Sequence, residues 1–232
     1  MSQTFQATSR SGYFRRTVEA LTHRRPADIE RLRALVEKPV TAQTVETLHA
    51  QIKVETPDCG VRLRRLRQLL MLAMIERDGL QRAPIGEIAS ATTALAELAI
   101  REALAWAAGE MAERGLQLLD DDGAAQDLLV VGMGKLGGGE LNVSSDIDLV
   151  FVMRDQGAKP EIAERITRRM IALLSENTAE GFVFRVDTRL RPQGDSGPQI
   201  VWFAMLEKYF YEQGREWERF AWLKSRVVAP TR

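Results

Sequence analysis

Residues 128–153, LLVVGMGKLGGGELNVSSDIDLVFVM, constrain this chain more than any other stretch. They predict a strand, a glycine-rich turn, a short helical piece and a second strand. Leu128 to Val131 is an apolar run that stops at glycine, as a buried strand does. Gly132, Gly134, Gly137, Gly138 and Gly139 then crowd one turn, and Lys135 adds a mobile cation to it. Glycines gathered in this way let backbone N–H groups approach an anion. In the second strand, side chains at i and i+2 point to one face. Asp146 and Asp148 therefore share a face, and Ile147, Leu149 and Phe151 share the other. Two carboxylates a few ångströms apart repel unless compensated, and a divalent cation held by their oxygens is the natural compensation.

Other readings of this stretch are weaker. A lone D-x-D is more often a solvated strand face, but five glycines and Lys135 just upstream reverse that preference. Gly132 to Gly137 also matches the G-x-G-x-x-G spacing of a dinucleotide site, with Asp155 near the position of the ribose acid. That fold needs a full crossover helix between parallel strands, and only residues 138–145 are available. Lys135 is not followed by Ser or Thr, so the turn is not a phosphate-binding loop of the Walker type.

The rest of the chain supplies scaffold. Residues 1–25 read as polar and frayed at their start. Asp28 is expected to cap a helix through Ile29, Leu32, Leu35 and Val36. Residues 41–54 are a weaker helix. In residues 61–75, Leu63, Leu66, Leu69, Leu70, Ala73 and Met74 form one apolar stripe. Arg62, Arg64, Arg65, Arg67 and Arg77 are expected on a solvated face. Residues 88–116 read as a long alanine- and leucine-rich helix. His23 and His49 are isolated and receive no role. Asp120-Asp121-Asp122-Gly123 reads as a solvated linker before the first strand.

Beyond the second strand, Pro160 opens a helix through Ile162, Ile166, Met170, Ile171, Leu173 and Leu174. Residues 182–190, FVFRVDTRL, alternate as a strand. Phe182, Phe184, Val186 and Leu190 would face one way, and Val183, Arg185, Asp187 and Arg189 the other. Asp187 would add a third carboxylate to the first two, with Arg185 and Arg189 to hold phosphate oxygens. A surface ladder of salt bridges is the competing reading, and the Asp146/Asp148 strand favours the site. Residues 191–198 read as a loop of turn formers whose amides at 194–197 could touch a nucleotide. From Trp202 the pattern is helical, and core packing is the expected use of Leu206, Tyr209, Phe210, Trp217, Phe220 and Trp222. The expected domains are 1–124 (helical), 125–200 (core with a small mixed sheet) and 201–232 (helical).

Composition narrows the partners. Lys plus Arg equals Asp plus Glu at 32 each, so net charge offers no argument for nucleic acid. The single cysteine, Cys59, excludes an internal disulfide and a cysteine-built zinc site, and suits a reducing cytoplasm. No apolar run reaches transmembrane length, and the first residues lack the apolar segment of a signal peptide. Neither nucleic acid nor membrane is expected as a partner.

Taken together, three blocks resemble a known family. Residues 132–151, GMGKLGGGELNVSSDIDLVF, are similar to the nucleotidyltransferase signature of the bifunctional glutamine synthetase adenylyltransferase/adenylyl-removing enzymes. Residues 181–198, GFVFRVDTRLRPQGDSGP, resemble their second block, and residues 213–228, QGREWERFAWLKSRVV, a third. The resemblance implies an α+β fold with a helical lead-in, a DNA polymerase β-like nucleotidyltransferase core and a helical C-terminal segment. It is closest to the N-terminal, adenylyl-removing half. There phosphate attacks an AMP group on a tyrosine of glutamine synthetase and ADP leaves, in control of nitrogen assimilation. By motif, Asp146, Asp148 and Asp187 would be the catalytic, metal-binding acids for two Mg²⁺ or Mn²⁺ ions. Gly137, Gly138, Lys135, Ser145, Arg185 and Arg189 would bind phosphate or nucleotide. The family enzyme is much longer, so the chain is expected to be its N-terminal portion, with a PII-type regulator acting through regions it lacks. Adenylyl transfer from ATP by the same fold, and a non-catalytic fragment that docks on glutamine synthetase, are the alternatives.

Overall fold

The computed structural model describes residues 5–7, 11–120, 122–154 and 159–231, so Asp121 and Asp155 lie outside the described residues. The chain divides into two units, Met1–Leu95 and Ala96–Arg232. No helix among the described residues is long and apolar enough to cross a membrane.

The first unit is helical: α1 (Gly12–Arg24), α2 (Pro26–Glu37), α3 (Ala42–Glu55), α4 (Cys59–Gly79) and the start of α5 (Ile85–Glu113). Ser11, Thr41 and Asp58 cap α1, α3 and α4 by accepting backbone N–H groups of the first turn. Both α2 and α3 pack on α4, which is buried around nearly its whole circumference. The expected stripe is there, with Leu63, Leu66, Leu69, Leu70 and Ala73 fully enclosed, but the arginines are not solvated.

Arg62, Arg64, Arg65 and Arg77 are all buried, and Arg62, Arg65 and Arg77 meet acceptors on neighbouring elements. Arg65 grips Asp28 through two bonds of 2.6 and 2.7 Å and also reaches Glu55 and Thr56. Arg77 grips Glu87 through bonds of 2.8 and 3.0 Å and donates to the Val36 carbonyl. Arg62 donates to Nε2 of His49, which is itself buried, not a surface group. Asp28 does not cap α2 either. It lies inside the first turn after Pro26, fully buried, as the counter-ion of Arg65. Burial pushes its carboxyl up, but hydrogen bonds and charge from Arg65 and Arg31 outweigh that and hold it below the usual value.

The second unit contains a five-stranded mixed sheet: β1 (Leu128–Gly132), β2 (Ile147–Met153), β3 (Val186–Asp187), β4 (Ile200–Trp202) and β5 (Arg226–Pro230). β2 is central. It pairs antiparallel with β1 on one edge; on the other it pairs parallel with β3 at its start and with β4 at its end. The antiparallel β1–β2 pairing rules out the parallel strand–helix–strand unit of a dinucleotide fold. Between β1 and β2 runs only the four-residue helix α6 (Gly134–Gly137). Helix α7 (Pro160–Ser175) buries Ile162, Ile166, Met170, Leu173 and Leu174 at helical spacing, as expected.

Residues 182–190 differ from the expected strand. Only Val186 and Asp187 pair, and Val183 and Phe184 are both buried although they are adjacent. The amides of both residues donate to the Leu174 carbonyl at the end of α7, which bends the chain before it can alternate. The C-terminal segment is α8 (Phe203–Glu212), α9 (Glu216–Trp222) and then β5, a strand where helix was expected. Its strand character depends on β1, which lies almost a hundred residues earlier. Leu206, Phe210 and Trp222 pack on Val131, Met133, Val150 and Val152, on the β2 face that carries Asp148. Trp217 and Phe220 do not join that core and are 55% and 74% exposed.

Candidate active site

The acids come together where β2 begins. The β2–β3 register sets Ile147 against Val186 and Asp148 against Asp187, and the Ile147 amide donates to the Arg185 carbonyl at 2.9 Å. Asp146 immediately precedes the strand. Further along β2, Val150 and Val152 are covered by the apolar cluster, so the polar face opens only at this end. The Met133 amide donates to the Asp148 carbonyl at 2.9 Å, which ties the glycine turn to the same point. Gly134 has φ of 53°, and a Cβ there would stand 3.4 Å from a carboxylate oxygen of Asp148. A left-handed glycine thus lets the turn pass directly over the acid.

The electrostatics follow from this crowding. Burial raises the pKa of Asp148, and the charges of Asp187 and Asp146 raise it further, against partial relief from Arg189 and Lys135. The Arg189 side chain holds Asp187 below its usual value, helped by the Arg189 backbone amide at 2.9 Å. Arg185 forms an ion pair with Asp146 and donates to the Ser144 carbonyl at 3.1 Å. The ion pairs of the competing surface reading therefore exist, but they are wrapped around a half-buried third carboxylate. No hydrogen bond or ion pair reaches the Asp148 side chain among the described residues. Nor do any three His, Cys, Asp or Glu side chains among them gather closely enough to hold an ion as they stand. The donor chemistry nevertheless suits a hard cation: three carboxylates, mutually repelling, with two engaged only by exposed arginines.

The remaining expected residues fall around this centre. Lys135 is exposed on α6. Ser145 donates its hydroxyl to Asn142 at 2.6 Å in the approach to β2. The amides of Gly137 and Gly138 are donated to the carbonyls of Met133 and Gly134. Gly137 has a packing reason of its own, since a Cβ there would lie 1.9 Å from the Lys224 carbonyl oxygen. In the following loop, the amides of Gly194, Ser196 and Gly197 bond within a short 3₁₀ turn. Two grooves, of about 830 and 580 Å³, are lined by mixed charges of the helical unit, and none of these acids lines either.

Two supporting residues were not read from the sequence. Arg191 is buried and donates to the Thr188 carbonyl and hydroxyl at 2.7 and 2.9 Å, and to the Gly197 carbonyl at 3.3 Å. It fastens the loop that follows Asp187. Arg226 on β5 donates to the carbonyls of Leu136 and Gly137 and pairs with Glu97, which clamps the glycine turn from its far side. Lys224, two residues earlier, pairs with Glu140. The only signal for either lies in the second and third blocks, and nothing local says that these side chains meet the turn or the loop.

Comparison with known proteins supplies relatives of this chain. The family described as glutamate-ammonia ligase adenylyltransferase matches residues 7–232. A bifunctional glutamine synthetase adenylyltransferase/adenylyl-removing enzyme of Chromobacterium violaceum is 42% identical over 98% of this chain and 26% of its own length. Its counterpart in Burkholderia mallei is 46% identical over 88% of this chain and 24% of its own length. In Thioalkalivibrio sulfidiphilus the figures are 48%, 73% and 18%. The chain thus spans about a quarter of the length of the relatives it matches. With a match that covers both units and all three sequence blocks, the chain belongs to the glutamate-ammonia ligase adenylyltransferase family.

Proposed function

We propose that this chain carries an adenylyl-removing centre on a DNA polymerase β-like core. It takes AMP from an adenylylated tyrosine of glutamine synthetase, with inorganic phosphate as acceptor and ADP as product, in the cytoplasm. The observation that carries this reading is the pairing of Asp148 with Asp187, with Asp146 beside them and Arg185 and Arg189 on the same cluster. The relatives' names supply glutamine synthetase and both directions of reaction, and the resemblance of the three blocks to the adenylyl-removing half favours removal.

Transfer at phosphorus needs positioning and charge neutralisation more than covalent help. An oxygen of inorganic phosphate bonds to the AMP phosphorus, the bond from phosphorus to the tyrosine oxygen breaks, and that oxygen leaves with the electron pair. The guanidinium groups of Arg185 and Arg189 suit the incoming tetrahedral oxyanion through paired N–H donors, and Lys135 adds charge from the turn. Asp146, Asp148 and Asp187 would hold Mg²⁺ or Mn²⁺, two ions, which would supply charge neutralisation for the transfer. Gly134 keeps the turn close over Asp148, and Arg191 and Arg226 keep loop and turn in register with the acids. A PII-type regulator would act through parts of the longer relatives that this chain does not span.

The test is incubation with adenylylated glutamine synthetase, inorganic phosphate and Mg²⁺. ADP release that depends on added phosphate, and that falls at least about a hundredfold in Asp148→Asn, is the expected result. Release of pyrophosphate from ATP with unmodified glutamine synthetase, indifferent to phosphate, would reverse the direction. Capture of glutamine synthetase without either product would leave a docking module.

A further inference from the structure

The two arginines at the centre are found on carboxylates, not turned toward an open anion site. Arg189 lies on Asp187, two residues before it, and Arg185 reaches from the start of β3 to Asp146. Both side chains are largely exposed, at 69% and 64%, so either guanidinium can swing into solvent without moving the backbone. Exposed pairs of this kind are held weakly. Between them, Asp148 has no hydrogen-bonding partner among the described residues and faces two like charges.

We infer that Arg185 and Arg189 are placeholders for the divalent cation, and that phosphate draws them off Asp146 and Asp187, so that cation and phosphate bind cooperatively. This rests on the reading of the three acids as cation ligands and deepens it. The chemistry of exchange is balanced on both sides. A guanidinium that leaves a carboxylate finds in phosphate another oxyanion of matching bidentate geometry. The carboxylate it leaves exchanges one cation for another of higher charge that accepts several oxygens. Each ligand clears the way for the other, and linkage requires that the effect be reciprocal. Consequently the acids would bind a cation poorly until the acceptor substrate is present, and neither ligand alone would complete the centre.

The experiment is calorimetric titration of Mg²⁺ into the full chain, with and without inorganic phosphate, corrected for the association of Mg²⁺ with phosphate in buffer. In the wild type, phosphate is expected to raise Mg²⁺ affinity at least about fivefold. Arg185→Ala/Arg189→Ala should bind Mg²⁺ at least about fivefold tighter than wild type without phosphate and gain nothing when phosphate is added. Arg185→Lys/Arg189→Lys keeps both charges but loses the paired donors, and should move in the same direction. A lysine variant that behaves as wild type would reduce the alanine effect to general charge repulsion and overturn the placeholder role. Asp148→Asn separates the levels. If it abolishes binding while phosphate and the arginine variants change nothing, the exchange is wrong and the metal reading stands. If Mg²⁺ binds Asp148→Asn as it binds wild type, or does not bind wild type even with phosphate, both fall.

Discussion

The two units use the same ion pair for opposite ends. In the helical unit, Arg65 and Asp28 are 6% and 0% exposed, and every nitrogen of the guanidinium has an acceptor. In the sheet unit, Arg189 with Asp187 and Arg185 with Asp146 sit at the surface, and each arginine is more than half exposed. Charges removed from water must be fully partnered, and loss of one partner strands the other. Charges in water are screened and interchangeable. The first pair is therefore a joint between helices α2 and α4, and the second is a reservoir of cations and carboxylates that can be re-partnered. An arginine beside an aspartate in sequence says nothing about which of these it is; burial decides.

The comparison breaks most readily at Asp28. Asp28→Ala should lower the unfolding free energy by about 3–5 kcal/mol, because it leaves Arg65 buried without its main counter-ion. Arg189→Ala should leave the unfolding midpoint unchanged. Urea denaturation of the two variants measures both, and equal losses would mean that the two pairs do the same job.

A smaller effect tests whether the loose charges stand on a rigid floor. Gly137→Ala forces a methyl group against the Lys224 carbonyl, a backbone atom that cannot swing away. It should cost about 1–3 kcal/mol in thermal unfolding, as overpacking does. A wild-type melting temperature would mean that the glycine turn and the Lys224 segment are not packed as described.

The smallest effect is in pH. The Asp28 carboxyl is depressed in the folded chain, so its contribution is fully present above its unfolded value of about 4 and is lost as pH falls through the folded one. Asp148 is raised, so between about pH 4 and its folded value the native state holds a proton that the unfolded state releases. Across that window its contribution grows as pH falls. Stability measured against pH for Asp28→Asn and Asp148→Asn, each subtracted from wild type, should give slopes of opposite sign. Slopes of the same sign would refute the contrast in burial and partnership.

Much of this protein was legible in local spacing. Helical periodicity marked α4, α5 and α7, and the alternation of Asp146-Ile147-Asp148 separated Ile147, Leu149 and Phe151 from the acids, although Val150 and Val152 beyond Asp148 are buried as well. The glycines, Lys135, Asp146 and Asp148 could be singled out because turn and strand geometry act over two to four residues, whereas Asp187 was singled out on an alternation that residues 182–190 do not keep. Tertiary structure alone decided the rest. It made β1 and β2 antiparallel, turned Val183 and Phe184 both inward, and added β5 to the sheet. It buried Arg65 and Arg77 of α4 by bringing Asp28, Glu55 and Glu87 to them, and set Arg226 against a turn 89 residues away in the chain. The reason is one of range. A residue's helix or strand preference depends on its immediate neighbours, whereas whether a charge is a joint or a mobile counter-ion depends on groups that only folding brings near.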